Sequence, residues 1–187
     1  MVITNIVFYV TKEFKQLNNS LSKSSHSHKS MASELTKMSL VASLYVVVTM
    51  MLAVFSFGAI QLRLSEMFNY LALYNKRYVI SVTLGVVFAN FFSPTWMFDV
   101  PIGGVATFIV LILCRYLTKN IKHDVWKIVV TALIFSVSMF TVAFQLTFLL
   151  DLPFLSTWFI VGIGELVSMT IGGMVIYLIS KKIDLTK

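Results

Sequence analysis

Long apolar runs separated by short polar gaps make up most of this chain. They cover Met38 to Gly58, Leu62 to Tyr74, Tyr78 to Phe92, Val100 to Leu117 and Val125 to Leu150, with a last run from Pro153 to Ser180. Several reach the ~18–20 residues that a helix needs to cross about 30 Å of hydrocarbon. No alternating strand pattern competes with them, so the pattern predicts six transmembrane helices with short connections. Pro153 falls at the start of the last helix, where proline is best tolerated. The second run is interrupted by Arg63, Glu66 and Asn69, which predicts a short or tilted helix partly lining a polar space.

Residues 1–37 follow a different pattern. Val2, Ile3, Ile6, Val7, Val10, Phe14 and Leu17 recur at helical spacing, and a Ser/His/Lys linker follows from Ser20 to Ser30. This reads as a cytoplasmic amphipathic helix and linker, or as an extension with little fixed structure. It has no basic stretch ahead of its apolar part, so it does not resemble a secretory signal. Met31 is an alternative translation start, since MASELTK leads directly into the first span. The expected organisation is therefore 1–37, a membrane domain at 38–182 and a cytoplasmic tail at 183–187.

Composition agrees with a membrane location. Of 187 residues, 58% are hydrophobic and 12% charged, against roughly 45–50% and about 25% in soluble domains. The mean hydropathy is +0.86. The net charge of +7 does not indicate nucleic acid, because the basic residues sit in the gaps between spans rather than on one face of a soluble module. Placing both termini inside makes fourteen of the fifteen basic residues cytoplasmic: Lys12, Lys15, Lys23, Lys29, Lys37, Lys76, Arg77, Arg115, Lys119, Lys122, Lys127, Lys181, Lys182 and Lys187. The expected protein is thus an all-α, multi-pass protein of the cytoplasmic membrane. Only Arg63 falls outside, with Glu66, Asp99 and Asp151.

Ionisable and amide side chains inside spans cost several kcal/mol unless they are paired or line a wet cavity. Arg63 and Glu66, three residues apart, share a helix face and form either a self-satisfied ion pair or a ligand-facing one. Asn90 is a reader of a planar ligand edge or a helix C-cap. Asp99 caps the fourth helix, contacts a ligand, or does both. Glu165 lies about 12 residues past Pro153, which at 1.5 Å per residue places it roughly 18 Å below the outer surface. A carboxylate at that depth needs Arg63, a proton or a ligand donor. Gln145, Thr107 and Trp96 are weaker candidates, usual as interhelical or interfacial groups.

No nucleophile with a paired base, no phosphate-cradling loop and no metal-ligand spacing is evident, and no cofactor is expected. Cys114 reads as packing, and His26-Ser-His28 as solvated linker. Gly103-Gly104 and Gly172-Gly173 lack the context of a nucleotide loop and read as close helix packing. Without a nucleotide motif the chain is not itself an ATPase, so active transport needs another subunit.

The stretch Phe57-Gly58-Ala59-Ile60-Gln61-Leu62-Arg63-Leu64-Ser65-Glu66 resembles the signature of the QueT family of membrane proteins. The resemblance continues through Leu84-Gly85-Val86-Val87-Phe88-Ala89-Asn90, Phe98-Asp99 with Gly103-Gly104 and Thr107, and Gly164-Glu165, covering Met38 to Lys182. Such proteins look like the substrate-binding S components of energy-coupling-factor (ECF) ABC transporters for vitamins and related micronutrients. The resemblance implies six helices, a ligand bound at the extracellular side, toppling in the membrane, and partnership with a membrane scaffold subunit and two ATPases. S components dock through small residues of the first helix, often Ala-x-x-x-Ala; here Ser39, Ala42 and Ser43 stand in that region.

The family name implies a queuosine precursor, a 7-deazaguanine carrying an aminomethyl cation. Glu66 or Glu165 then suits the N–H groups of a guanine-like edge, Asp99 the ammonium and Asn90 a carbonyl. A second reading within the class is cobalamin, with Phe91, Phe92, Trp96, Phe98, Phe154 and Trp158 walling a wider mouth. A third is a membrane enzyme or a structural protein, which predicts catalytic groups at one depth or fully self-paired polar groups.

Overall fold

The computed structural model describes residues 31–58, 61–182 and 184–185. The amphipathic pattern of residues 2–17, the linker with its histidines, and most of the tail lie outside the described residues. The chain divides into two compact units, Met1–Lys37 and Met38–Lys187.

Every regular element among the described residues is helical. The first helix, α1, covers Met31–Met51, so the chain is already helical seven residues before the expected Met38. A short α2 follows at Ala53–Ser56. The interrupted second run forms a 3-10 helix, Leu64–Tyr70, that passes directly into α3 at Leu71–Tyr74. The next helices are α4, Arg77–Asn90, and α5, Trp96–Thr118. The expected fifth span is two consecutive segments, α6 at Asp124–Ser138 and α7 at Phe140–Leu150, meeting at Met139. The last helix, α8, is Phe154–Ser180.

Among the described residues, four stretches are long and apolar enough to cross a membrane: α1, α5, the α6–α7 pair and α8. The 14 residues of α4 extend about 21 Å at 1.5 Å each, short of the ~30 Å hydrocarbon thickness.

One boundary differs from expectation in a way that matters for the site. Helix α5 begins at Trp96 rather than Val100, so Asp99 sits inside its first turn and Pro101 inside the helix. The turn after α4 hands over at Thr95, whose carbonyl accepts the Asp99 backbone N–H at 3.0 Å. Proline costs least near a helix start, because the first N–H groups lack partners anyway.

Helix α8 is the most interior. It packs on α6, on α7 and on the Leu64–Tyr70 turn, while α5 bridges α4 to α6 and α7. The Tyr70 hydroxyl donates to the Met169 carbonyl at 2.9 Å, and Arg115 donates to the Ala72 carbonyl, tying the short second segment to α8 and α5. The paired glycines pack as expected: Gly104 faces Val87, Gly172 faces Met67, and Gly173 faces Ile128 and Tyr70. Helix α1 approaches α4 where Gly85 lies against Tyr45.

The connections give the bundle two chemically different ends. The loops at 75–76 and 119–123, the first residue of α4 and the residues just after α8 carry Lys76, Arg77, Lys119, Lys122, Lys181 and Lys182. The opposite loops, 91–95 and 151–153, contain no lysine or arginine. Both faces of the bundle between them carry exposed apolar side chains such as Val54, Phe88, Phe144 and Phe159, as a surface solvated by lipid requires.

Candidate ligand-binding site

A cavity of about 670 Å³ opens among the ends of α4, α5, α7 and α8 and the segment preceding the 3-10 helix. Its volume is within the roughly 300–1,000 Å³ of ordinary small-molecule sites. Arg63, Glu66, Asn90, Asp99 and Glu165 all line it, although they come from four separate stretches of chain. Thr107 and Gln145 line it as well; Trp96 does not, and instead stacks near Phe91 at 6.1 Å between ring centroids.

The three carboxylates have very different surroundings. Glu66 is buried on the 3-10 turn. Tyr45 donates to its Oε1 at 2.6 Å, Asn69 donates to its Oε2, and the Arg63 guanidinium stands 3.8 Å away. Arg63 also lies over the Phe57 ring, 5.3 Å from the centroid, a cation–π contact. The expected pairing of Arg63 with Glu66 is therefore present, within a larger cluster.

Asp99 is equally well supplied. Ser93 and Thr95 donate to its Oδ2, the latter at 2.7 Å, and Gln145 from α7 donates to its Oδ1. Its place in the first turn of α5 sets the carboxylate near the positive end of that helix. The Asn90 amide donates to the Asp99 carbonyl at 2.8 Å, so Asn90 bridges α4 to α5 instead of only ending its own helix. The amide fits because residue 103 is glycine: a Cβ there would stand 2.5 Å from Asn90 Nδ2.

Glu165 differs from both. It is 2% exposed on the central helix, and its Oε1 has no hydrogen-bond partner. It lies within electrostatic reach of Arg63 and Glu66. Asn90 Oδ1 is likewise buried without a partner. Two acceptors on the cavity wall thus remain unused, where an unmade hydrogen bond costs about 1–3 kcal/mol.

Charge in the lining is lopsided: among the described residues it holds three acids, Glu66, Asp99 and Glu165, and one base, Arg63. The remaining wall is largely apolar, with Val86, Val110, Phe135 and Leu146 among it. Apolar walls with a few convergent polar groups are the usual construction of a site that holds a flat, partly polar molecule.

The chain matches the QueT transporter family over residues 35–182. It belongs to that family. A relative from Lactococcus lactis subsp. cremoris (strain MG1363), named queuosine precursor transporter QueT, is 39% identical over 168 residues, covering 85% of this chain and 99% of the relative. No solved structure matches the chain. Within a QueT family member, the cavity is the natural place to look for the transported molecule.

The supporting partners of the carboxylates are not singled out by the sequence pattern, apart from Asn69. Tyr45 and Asn69 hold Glu66, and Ser93 and Thr95 hold Asp99. Gln61 lines the cavity with a left-handed backbone, φ 52°, which a residue other than glycine seldom adopts. Of the aromatic residues expected to wall a wider mouth, none of Phe91, Phe92, Trp96, Phe98, Phe154 or Trp158 lines the cavity. On α1, Ser39 and Ser43 are exposed and Ala42 is half-buried.

Proposed function

We propose that this protein is the substrate-binding S component of an ECF-type ABC transporter that imports a queuosine precursor of the deazaguanine type. The observation that carries the reading is the gathering of Arg63, Glu66, Asn90, Asp99 and Glu165 around one cavity of about 670 Å³. The relative's name supplies the substrate class, and the donor and acceptor pattern suits it. Glu165 and Asn90 Oδ1 accept N–H groups of the ligand, while Arg63 donates to a ring carbonyl. Glu66 and Asp99 act mainly by holding Arg63 and the Asn90 amide in place. This departs from the expectation that a second acid such as Asp99 meets the ligand's ammonium, since Asp99 already accepts three side-chain bonds.

The proposed topology has six membrane passages, formed by α1–α2, the Leu62–Tyr74 segment, α4, α5, α6–α7 and α8. The lysine-bearing end faces the cytoplasm, in line with the excess of Lys and Arg in cytoplasmic loops, and the cavity opens outside. The protein then resides in the cytoplasmic membrane with both termini inside. The sequence carries no phosphate-binding loop, so ATP is hydrolysed on two separate ATPase subunits coupled through a membrane scaffold. The exposed side of α1 around Ser39 and Ser43, with Ala42 between them, is the proposed docking face.

Calorimetric titration of the purified protein with 7-aminomethyl-7-deazaguanine and, separately, with cobalamin tests the substrate assignment. Saturable binding of the deazaguanine alone is expected. Binding of cobalamin alone overturns the assignment and keeps the transporter class.

A further inference from the structure

A second concavity, of about 270 Å³, lies between α6 and α8 on the half of the bundle that carries the lysines. Val125, Val129 and Leu133 line it from α6, and Met174 and Tyr177 from α8. Its rim is open, with Val125, Leu133 and Met174 each more than half exposed, whereas Tyr70 at its back is fully buried. Gly173, which also lines it, lets α8 approach α6 closely, since a Cβ there would stand 2.6 Å from Ile128 Cγ2.

The groove has almost nothing to offer a polar ligand. The Tyr70 hydroxyl is spent on the Met169 carbonyl, and Thr170 Oγ1 donates to the Leu166 carbonyl at 2.7 Å. What it accommodates is hydrocarbon. Its position adds a charge: Lys181, four residues after Tyr177 and so on the same side of the helix, holds its ammonium 5.0 Å from the Tyr177 ring centroid. Lys182 and Lys122 lie at the same end, and Asp124, the acid nearest the start of α6, is paired with Lys127 at 3.6 Å.

We infer that this groove is a binding site for an anionic phospholipid, with an acyl chain between α6 and α8 and the headgroup phosphate at Lys181. A chain that crosses a bilayer presents such a groove to lipid, and lysine at the end of a span reaches the headgroup level. Anionic lipid headgroups attract lysine and arginine side chains held near the membrane surface. The inference needs only that the protein spans a membrane, and it is independent of the proposed substrate.

Native mass spectrometry of the full chain, purified in detergent and given equal amounts of phosphatidylglycerol and phosphatidylcholine, tests it. Wild type is expected to retain phosphatidylglycerol several-fold over phosphatidylcholine. Lys181→Gln should remove that preference, and Met174→Trp should lower retention of both lipids by filling the groove. Met174 is 63% exposed, so the larger side chain does not disturb the core, and Val129→Trp on the opposite wall provides an independent second blocker. Equal retention of the two lipids by wild type, undiminished retention by both tryptophan variants, or a groove that holds no lipid because another protein covers it would each overturn the inference.

Discussion

Tyr45 on α1 donates its hydroxyl to Glu66 Oε1 at 2.6 Å, and neither residue is open to solvent. This bond fastens the first helix to the 3-10 turn that carries Arg63. Tyr45→Phe removes the donor while keeping the ring against Phe68, 6.3 Å away. A buried acceptor left short of a partner costs about 1–3 kcal/mol. The variant should unfold at correspondingly lower denaturant in detergent, and an unchanged transition would show that Glu66 is held adequately by Asn69 and Arg63.

Gln145 plays the equivalent part on the other wall. It is the link from α7 to Asp99, reaching across 46 positions of sequence. Gln145→Leu keeps the bulk and removes the donor, leaving Asp99 with Ser93 and Thr95 on its other oxygen. A loss of about 1–3 kcal/mol is expected, and replacing Asp99 by Asn in the same chain should recover part of it, because the charge that needed the amide is then gone. A double-mutant cycle in chemical unfolding measures the coupling, and strict additivity would dissolve the proposed link.

These two residues also mark what can be read from the chain. Arg63, Glu66, Asn90, Asp99 and Glu165 stood out because charged and amide groups are conspicuous and costly in apolar runs. Their supporting partners were not visible in this way. Tyr45, Ser93 and Thr95 are ordinary residues at span ends and within spans, and only the folded arrangement shows whose carboxylate they meet. Asn69 was noticed as an interruption but lies three residues from Glu66, a spacing that gains its meaning from the 3-10 turn. Helix α5 starts four residues ahead of the apolar run at Val100, because Asp99 interrupts the hydrophobic pattern without interrupting the helix.

Gly103 is expected to be intolerant for a reason tied to the site. With Asn90 Nδ2 at 2.5 Å from where a Cβ would sit, Gly103→Ala must push the amide away from the Asp99 carbonyl or separate α4 from α5. Overpacking of this kind costs about 1–3 kcal/mol. If Asn90 reads the ligand, affinity should fall together with stability in Gly103→Ala, while Gly104→Ala, whose neighbour is the Val87 side chain, should lower stability alone. Equal ligand affinity in the two variants would remove Asn90 from the ligand-reading set.

Glu165 offers the sharpest test of the ligand site itself. Its buried Oε1 accepts nothing from the protein, so Glu165→Gln breaks no internal hydrogen bond and the fold should survive it. Ligand affinity should drop at least about tenfold, the equivalent of about 1.4 kcal/mol. Arg63→Ala should weaken binding to a similar degree and also destabilise, because it leaves Glu66 and Glu165 facing each other without their cation. Calorimetry with wild-type affinity in both variants would exclude this part of the cavity as the binding site.

The proposed energetics lead to a final, whole-cell expectation. In the proposed S-component arrangement this chain binds the substrate, and the energy to concentrate it comes from ATP hydrolysed on partner subunits. Cells that lack other uptake routes should therefore accumulate radiolabelled deazaguanine only when this chain is produced with an ECF scaffold and its two ATPases. Replacing Ser39 and Ser43 together by Trp should abolish accumulation while leaving binding by the isolated chain intact, because both serines are exposed on α1 and away from the cavity. Concentrative uptake by the chain alone would point instead to coupling through an ion gradient, and the ATPase partnership would have to be abandoned.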